Sequence, residues 1–481
     1  MFLYNWLYEK MVDYITVIGG GLAGSEAAYQ IAKQGIKVKL YEMKPVKFSP
    51  AHFNSDLAEI VCSNSFKSNL LTNACGLLKE ELRRLDSLLI KIADRTSVPA
   101  GQALAVDRDE FSKQVTQELK NNPLIEIINE EVTDIEDMAK NGIVIIATGP
   151  LTSEGLAEQI GKLTGEDKLY FYDAAAPIVN KDSIDFNIAF YGDRYSQEKK
   201  KDETVEEWKE RLANTEVNEQ SYINLPMSKE EYEAFWKELV EAEIVTLHDF
   251  EKREIFEGCM PVEIMAKRGI DTLRFGPLKP VGFDDPRTAK RPYALVQLRQ
   301  DDKQASIYNL VGFQTNLKFG EQKRVFSMIP GLQNAEFVKY GVMHRNTYIN
   351  STKLLDETYN LKNNRNIYFA GQITGVEGYV ESISSGMVAA LNAIDEFRDR
   401  PKMHQLSEND ESRDYPKKHH FSENTVIGAL AKYISTPNDK FQPMNANFGI
   451  LPPLEGKKIK DKKQRYQMLA DRSLKQFLKS I

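Results

Sequence analysis

Cysteine is scarce in this sequence: Cys62, Cys75 and Cys259 are the three in 481 residues. They lack the short spacings of a metal-binding knuckle, so no metal site is read, and they are too few for a disulfide framework. The fold must therefore rest on its core, and a reducing, cytoplasmic setting is expected. Long apolar runs are also missing. The longest are strand-length and broken by charge or glycine, far short of the roughly 20 residues that cross a bilayer, which excludes the membrane as a partner. There is no excess of positive charge: 63 Lys and Arg stand against 70 Asp and Glu, for a net charge of -7. Any nucleic acid would have to be met by a local basic surface. No internal repeat is present. The opening MFLYNWLYEK has neither a basic leader nor a small-residue cleavage site, so residues 1–12 read as an extension, with Met1 and Met11 both candidate starts.

What is present begins with a βαβ unit. A β-branched run over 13–19 ends in glycine, a helical pattern covers 22–34, and a second apolar strand follows at 36–41. Between strand and helix lie Gly19, Gly20, Gly21, Leu22, Ala23 and Gly24, a G-x-G-x-x-G turn that lets the backbone approach a pyrophosphate at the helix N-terminus. Glu42 closes the second strand, where a carboxylate can accept hydrogen bonds from ribose hydroxyls. This constellation predicts dinucleotide binding, with NAD and FAD both candidates. Near the other end, 366–371 is another buried strand. It leads into Gly371, Gln372 and a small-residue helix, and a second glycine turn of this kind favours FAD.

The fold class expected is therefore α/β, a Rossmann-like FAD-binding domain assembled from 13–182 and 331–481, with an α+β domain inserted at 183–330. Within the insertion, SQEKKKDETVEEWKERL reads as a solvated surface helix, and the polar stretch 398–420 reads as a mobile linker. Cys62 in AEIVCSNSF and Cys259 in FEGCMPVE both have loop-like settings, open to catalysis or to inert packing. Cys75 opens an apolar helix and reads as core. The cluster GKKIKDKKQR at 456–465 and the residues Lys318, Lys323 and Arg324 are candidate phosphate contacts, with a solvated helix face as the alternative.

Ten segments in order resemble the folate- and FAD-dependent tRNA uracil-5-methyltransferases, the TrmFO family, which is related to the GidA flavoproteins. They are VIGGGLAGSEAA, LYEMKP, the PAH before EIVCSNSF, SVPAGQALAVDR, YFYDAAAPIV, FEGCMPVE, FGPLKPVG, YGVMHRNTYIN, AGQITGVEGYVES and FQPMNANFG. The resemblance implies an enzyme that binds FAD and takes a one-carbon unit from 5,10-methylenetetrahydrofolate. NADH or NADPH supplies the electrons through the flavin, and the acceptor is the uridine at position 54 of the tRNA T-loop. It implies that Cys259 is the thiolate that adds to uracil C6 and that Cys62 is a second functional cysteine, a candidate for moving the C5 proton, with Glu257 and Glu263 as alternatives. No obligate protein partner is implied. The alternatives are the same chemistry on a uridine of 23S ribosomal RNA, a GidA-type modification of the wobble uridine, and a plain flavin oxidoreductase.

Overall fold

The computed structural model describes residues 13–165, 169–195, 198–214, 222–245, 260–403, 418–439, 441–456 and 459–480. The extension 1–12, Glu257, Cys259 and residues 404–417 of the expected linker lie outside the described residues.

Two sheets organise the chain. The first runs, from one edge, Asn360–Leu361, Asn364–Phe369, Ile143–Ile146, Tyr14–Ile18, Lys37–Tyr41 and Ile125–Ile128. Every neighbouring pair is parallel except the first. Ile143–Ile146 is an unbroken IVII buried throughout, as a parallel strand covered on both faces requires. The helices Leu22–Lys33 and Tyr379–Met403 pack against each other beside this sheet, so both ends of the chain build one core. The second helix reaches Met403 and so takes in residues 398–403, which the sequence reading assigned to the linker.

The second sheet is antiparallel: Phe190–Tyr191, Tyr222–Met227, Ala294–Gln300, Ile307–Leu310, Ile178–Asn180 and Phe337–Lys339. It has its own apolar core and draws strands from both sides of the 183–330 segment. The outgoing strand Leu169–Ala174 and the returning strand Met343–Tyr348 pair antiparallel, so the two passages between lobes form one ribbon. The charged stretch expected to be surface decoration contains the helix Val205–Ala213, closed by a Thr204/Glu207 capping box. Its Trp208 is fully buried, which fixes that helix to the lobe. No helix among the described residues is long and apolar enough to cross a membrane.

The C-terminal segment is tied back by one carboxylate. Glu81, fully buried on the helix Ala74–Arg84, accepts hydrogen bonds from Val426 N and Ile427 N, both at 2.9 Å, and from Ser473 Oγ at 2.5 Å. It thereby caps the helix Val426–Ser435 and holds the helix Lys462–Ser480. Burial outweighs these hydrogen bonds and pushes the Glu81 carboxyl from its ordinary 4.5 up to about 7. The folded state therefore holds this proton more tightly than the unfolded chain does. Its contribution to stability is complete below the unfolded value and is lost as pH rises through about 7. Glu81→Gln should remove this component, worth a few kcal/mol at most. In urea unfolding, its stability relative to wild type should rise steadily between pH 5 and pH 8; a pH-independent difference would contradict the assignment.

Candidate functional site

The first glycine turn is shaped by close backbone approaches. Gly19 has φ +101°, a conformation open to glycine, and its N–H donates to Tyr41 O at 2.7 Å. A methyl group at Gly24 would stand 1.8 Å from the Gly19 carbonyl oxygen, so the helix can start this close to the strand only without a side chain there. At Gly21 the same group would meet no atom within 4 Å. Gly21 is the N-cap of Leu22–Lys33, and the first turn has neither a side-chain cap nor an acidic residue. That leaves the positive end of the helix facing open space, the environment an anionic pyrophosphate takes.

Glu42 stands beside the turn, with one oxygen accepting from Gly20 N at 2.8 Å and the other from Lys44 N at 3.0 Å. Each oxygen keeps a lone pair for a ribose hydroxyl. The loop beyond is drawn in by the buried Lys44, whose Nζ donates to Asn54 O at 3.0 Å and Asp56 O at 2.5 Å and pairs with Glu59 at 3.4 Å. From the far end of the chain, Gly371 N donates to Ser385 Oγ at 2.6 Å, and Gln372 Nε2 to Glu377 Oε2 at 2.5 Å. Gly19, Gly20, Gly21, Leu22, Ala23, Glu42, Gly371 and Gln372 all line one cleft of about 1100 Å³, counting its open mouth. Gly24 does not line it and acts through packing. The paired glycine turns and the carboxylate beside them fit a dinucleotide such as FAD.

Cys62 lies at the inner end of the same loop. Its N–H and that of Ser63 both donate to the Tyr379 hydroxyl oxygen, at 3.0 and 3.1 Å, and Tyr379 lines the cleft. The half-buried thiol lies 3.8 Å from Ala174 O, on the ribbon between lobes. Arg108 donates to Ile60 O at 3.0 Å and Val61 O at 3.3 Å, just before the cysteine, and pairs with Asp301, the residue after the strand Ala294–Gln300, at 2.9 Å. Arg299 donates to Asn64 Oδ1 at 2.9 Å, just after it. Burial and the neighbouring Arg108 hold Lys339 below the ordinary lysine range, and burial does the same to Arg299; Cys62 acts in the opposite direction on both. Burial, then Cys62, pushes the Tyr379 hydroxyl up.

The other candidates divide clearly. The chain resumes after Cys259 with Met260, and Val262 N donates to Gln314 O at 2.7 Å; Thr315 N in turn donates to Ala175 O at 3.3 Å, next to the residue that faces Cys62. Glu263 is fully buried and committed to Thr315 Oγ1 at 2.9 Å and Asn316 N at 2.8 Å, a structural task that argues against proton transfer. Cys75 is buried, and burial followed by Glu381 pushes its thiol up to about 11, in keeping with a core residue. Lys318 is paired with Glu243, and Arg324 with Glu238 and Glu321, so most of that expected phosphate patch is already neutralised. Sequence reasoning missed Tyr379, Arg108 and Arg299; the first two stand inside segments it quoted, AGQITGVEGYVES and SVPAGQALAVDR. Among the described residues no cluster of His, Cys, Asp and Glu could hold a metal ion.

Residues 14–401 match the family model described as glucose inhibited division protein A (GIDA). The methylenetetrahydrofolate--tRNA-(uracil-5-)-methyltransferase TrmFO of Acetivibrio thermocellus is 57% identical over 468 residues, 97% of this chain and 98% of that protein. Its counterpart in Enterococcus faecalis is 53% identical over 96% of this chain and 98% of its own length. The chain belongs to the TrmFO family of GidA-related proteins. Among solved structures, Aquifex aeolicus GidA (form II crystal) superposes with a TM-score of 0.63 at 16% identity, over 98% of this chain and 75% of that one, which establishes the shared fold. The two-part FAD-binding architecture with an inserted lobe is thus the family's fold.

The two turn glycines should fail differently. Gly24→Ala should lower the melting temperature by several degrees and reduce bound flavin, because the backbone contact itself must open. Gly21→Ala should leave the flavin-free protein as stable as wild type while lowering its flavin content, read from the visible absorbance per chain. Equal loss of stability in both variants would contradict this division.

Proposed function

We propose that this protein methylates C5 of uridine in tRNA, with the carbon taken from 5,10-methylenetetrahydrofolate and electrons from NADH or NADPH, and that its target is position 54 in the T-loop. The observation that carries the site assignment is the Tyr379 hydroxyl, which lines the dinucleotide cleft and holds the backbone of Cys62. The ribosomal RNA alternative has no support, since the highly similar relatives are named as tRNA enzymes. We also assign the protein to the cytoplasm, the compartment its free thiols suit.

The reaction consumes one methylene group, one reductant and the C5 hydrogen, and yields 5-methyluridine, tetrahydrofolate and the oxidised nicotinamide. Bound FAD supplies the two-electron reduction that converts a methylene into a methyl group. Gly19 to Ala23, Glu42, Gly371 and Gln372 hold and orient that cofactor. Cys259 acts as the nucleophile: its thiolate adds to C6 of the flipped uracil and makes C5 electron-rich enough to attack the one-carbon unit. Cys62 takes the C5 proton, the bond between the transferred carbon and its carrier breaks, one hydride completes the methyl group, and the Cys259 sulfur then leaves from C6 and restores the ring. Arg108 and Arg299 hold the backbone on either side of Cys62 in place for this task.

Incubation of FAD-loaded protein with methylenetetrahydrofolate, NADPH and unmodified tRNA, followed by nuclease digestion and mass spectrometry, should place 5-methyluridine in the T-loop fragment alone. Cys259→Ala and Cys62→Ala should each lower the methylation rate by at least about a thousandfold with flavin still bound. Methylation at wild-type rate in Cys62→Ala would remove that residue from the mechanism, and no product from wild type would sink the activity.

A further inference from the structure

The segment that leaves the flavin-side turn builds a second concavity. Met444 N donates to Gly375 O at 2.9 Å, Glu377 N to Met444 O at 2.8 Å, and Ala446 N to the Glu381 carboxylate at 2.9 Å. Two residues on, Phe448 starts the lining of a pocket that also includes Leu451, Pro452, Ile459, Arg465 and Tyr466. The rings of Phe448 and Tyr466 are 4.5 Å apart at 33°. Lys462 Nζ and the Arg465 guanidinium lie 5.4 and 5.5 Å from the centre of the Tyr466 ring. Lys460 and Lys463, within two residues of the lining Ile459 and Arg465 in sequence, are exposed.

Among the described residues, the cations of this surface are not tied to carboxylates. Lys318 and Arg324 are tied to glutamates, whereas none of Lys460, Lys462, Lys463 and Arg465 has an ion-pair partner among the described residues. The nearby Asp461 carboxylate is occupied by Gln464 N at 2.6 Å. Three of these cations fall in the first turn of Lys462–Ser480, which has no acidic residue, and there they oppose the helix dipole. They therefore do not serve the helix, and a polyanion placed on them would relieve that repulsion.

We propose that this pocket and its basic rim form an RNA subsite that takes one unstacked nucleotide of the tRNA substrate, its base against Tyr466 and Phe448 and its flanking phosphates on Lys460, Lys463 and Arg465. The inference rests on the reading that the substrate is tRNA. Base stacking on aromatic rings combined with backbone contacts to Lys and Arg is the general mode by which proteins hold single-stranded segments. Hydrogen bonds from residues 444–446 to residues 375–381 tie this segment to the stretch that carries the cleft-lining Gln372 and Tyr379.

The test is filter binding of an unmodified tRNA transcript to full-length, FAD-loaded protein across a salt series, with bound flavin per chain as the check on folding. Tyr466→Ala should raise Kd about tenfold or more, and Tyr466→Phe should keep the wild-type Kd because the ring remains. Lys460→Gln combined with Lys463→Gln should reduce the salt dependence of log Kd by about two. These lysines are exposed, so the double variant decides the matter even if Tyr466→Ala fails to fold. Unchanged Kd and salt slope in the lysine variant, or competition by polyglutamate equal to that by single-stranded RNA, would overturn the proposal, the latter in favour of an acidic protein partner. A wild-type protein that shows this binding pattern yet transfers no methyl group would sink the activity and leave the subsite standing. Methylation by wild type with unchanged binding in the variants would sink the subsite alone.

Discussion

The helix that follows the first glycine turn and the helix that follows the second press together at backbone distance. A methyl group at Gly386 would stand 2.2 Å from the carbonyl oxygen of Ala23, so a side chain at that crossing would push the two helices apart. Everything at the site depends on this contact between segments over 350 positions apart in sequence. It brings Gly371 and Gln372 to the cleft lined by Gly19 to Ala23. It also places Tyr379, the first residue of the second helix, where its hydroxyl reaches the amides of Cys62 and Ser63. Cofactor binding and the position of the thiol are therefore set by one packing interaction.

A second constraint is electrostatic. The seam between the lobes carries Arg108 with Asp301, and Arg299 with Asn64 and Asn309, all largely removed from water. Buried charges of this kind contribute little net stability, and removing one partner costs about 3–5 kcal/mol. Their function is register. Arg108, itself paired with Asp301 of the inserted lobe, grips the two carbonyls before Cys62, while Arg299 of that lobe grips the residue two positions after it, so the loop is fixed from both sides. The docking of the lobe therefore fixes the position of the thiol.

How much of this was legible in the sequence follows the range of each interaction. The glycine turn, its helix and Glu42 are contiguous or nearly so, and their spacing alone carries the dinucleotide reading. The second turn and the α/β class were equally visible, because buried parallel strands leave apolar runs such as IVII. Tyr379 and Arg108 were hidden, since their partners lie 317 and 193 residues away and nothing local marks a tyrosine or an arginine as a clamp. The charged helix around Trp208 read as solvated because its polar residues outnumber one decisive buried ring. Lys318 and Arg324 read as a phosphate patch because Glu243, which neutralises the first, and Glu238, one of the two that neutralise the second, come from distant positions.

The central claim is that the methyl carbon of 5-methyluridine comes from methylenetetrahydrofolate with both its hydrogens and is completed by one further hydrogen. It is tested most directly by supplying methylenetetrahydrofolate whose transferable carbon is carbon-13 and bears two deuterium atoms, together with unlabelled NADPH and tRNA. The mass of the methyl group in the 5-methyluridine released by digestion is then read. The account predicts a methyl with one carbon-13, two deuterium atoms and one ordinary hydrogen; an unlabelled methyl group, or one that has lost a deuterium, would contradict it.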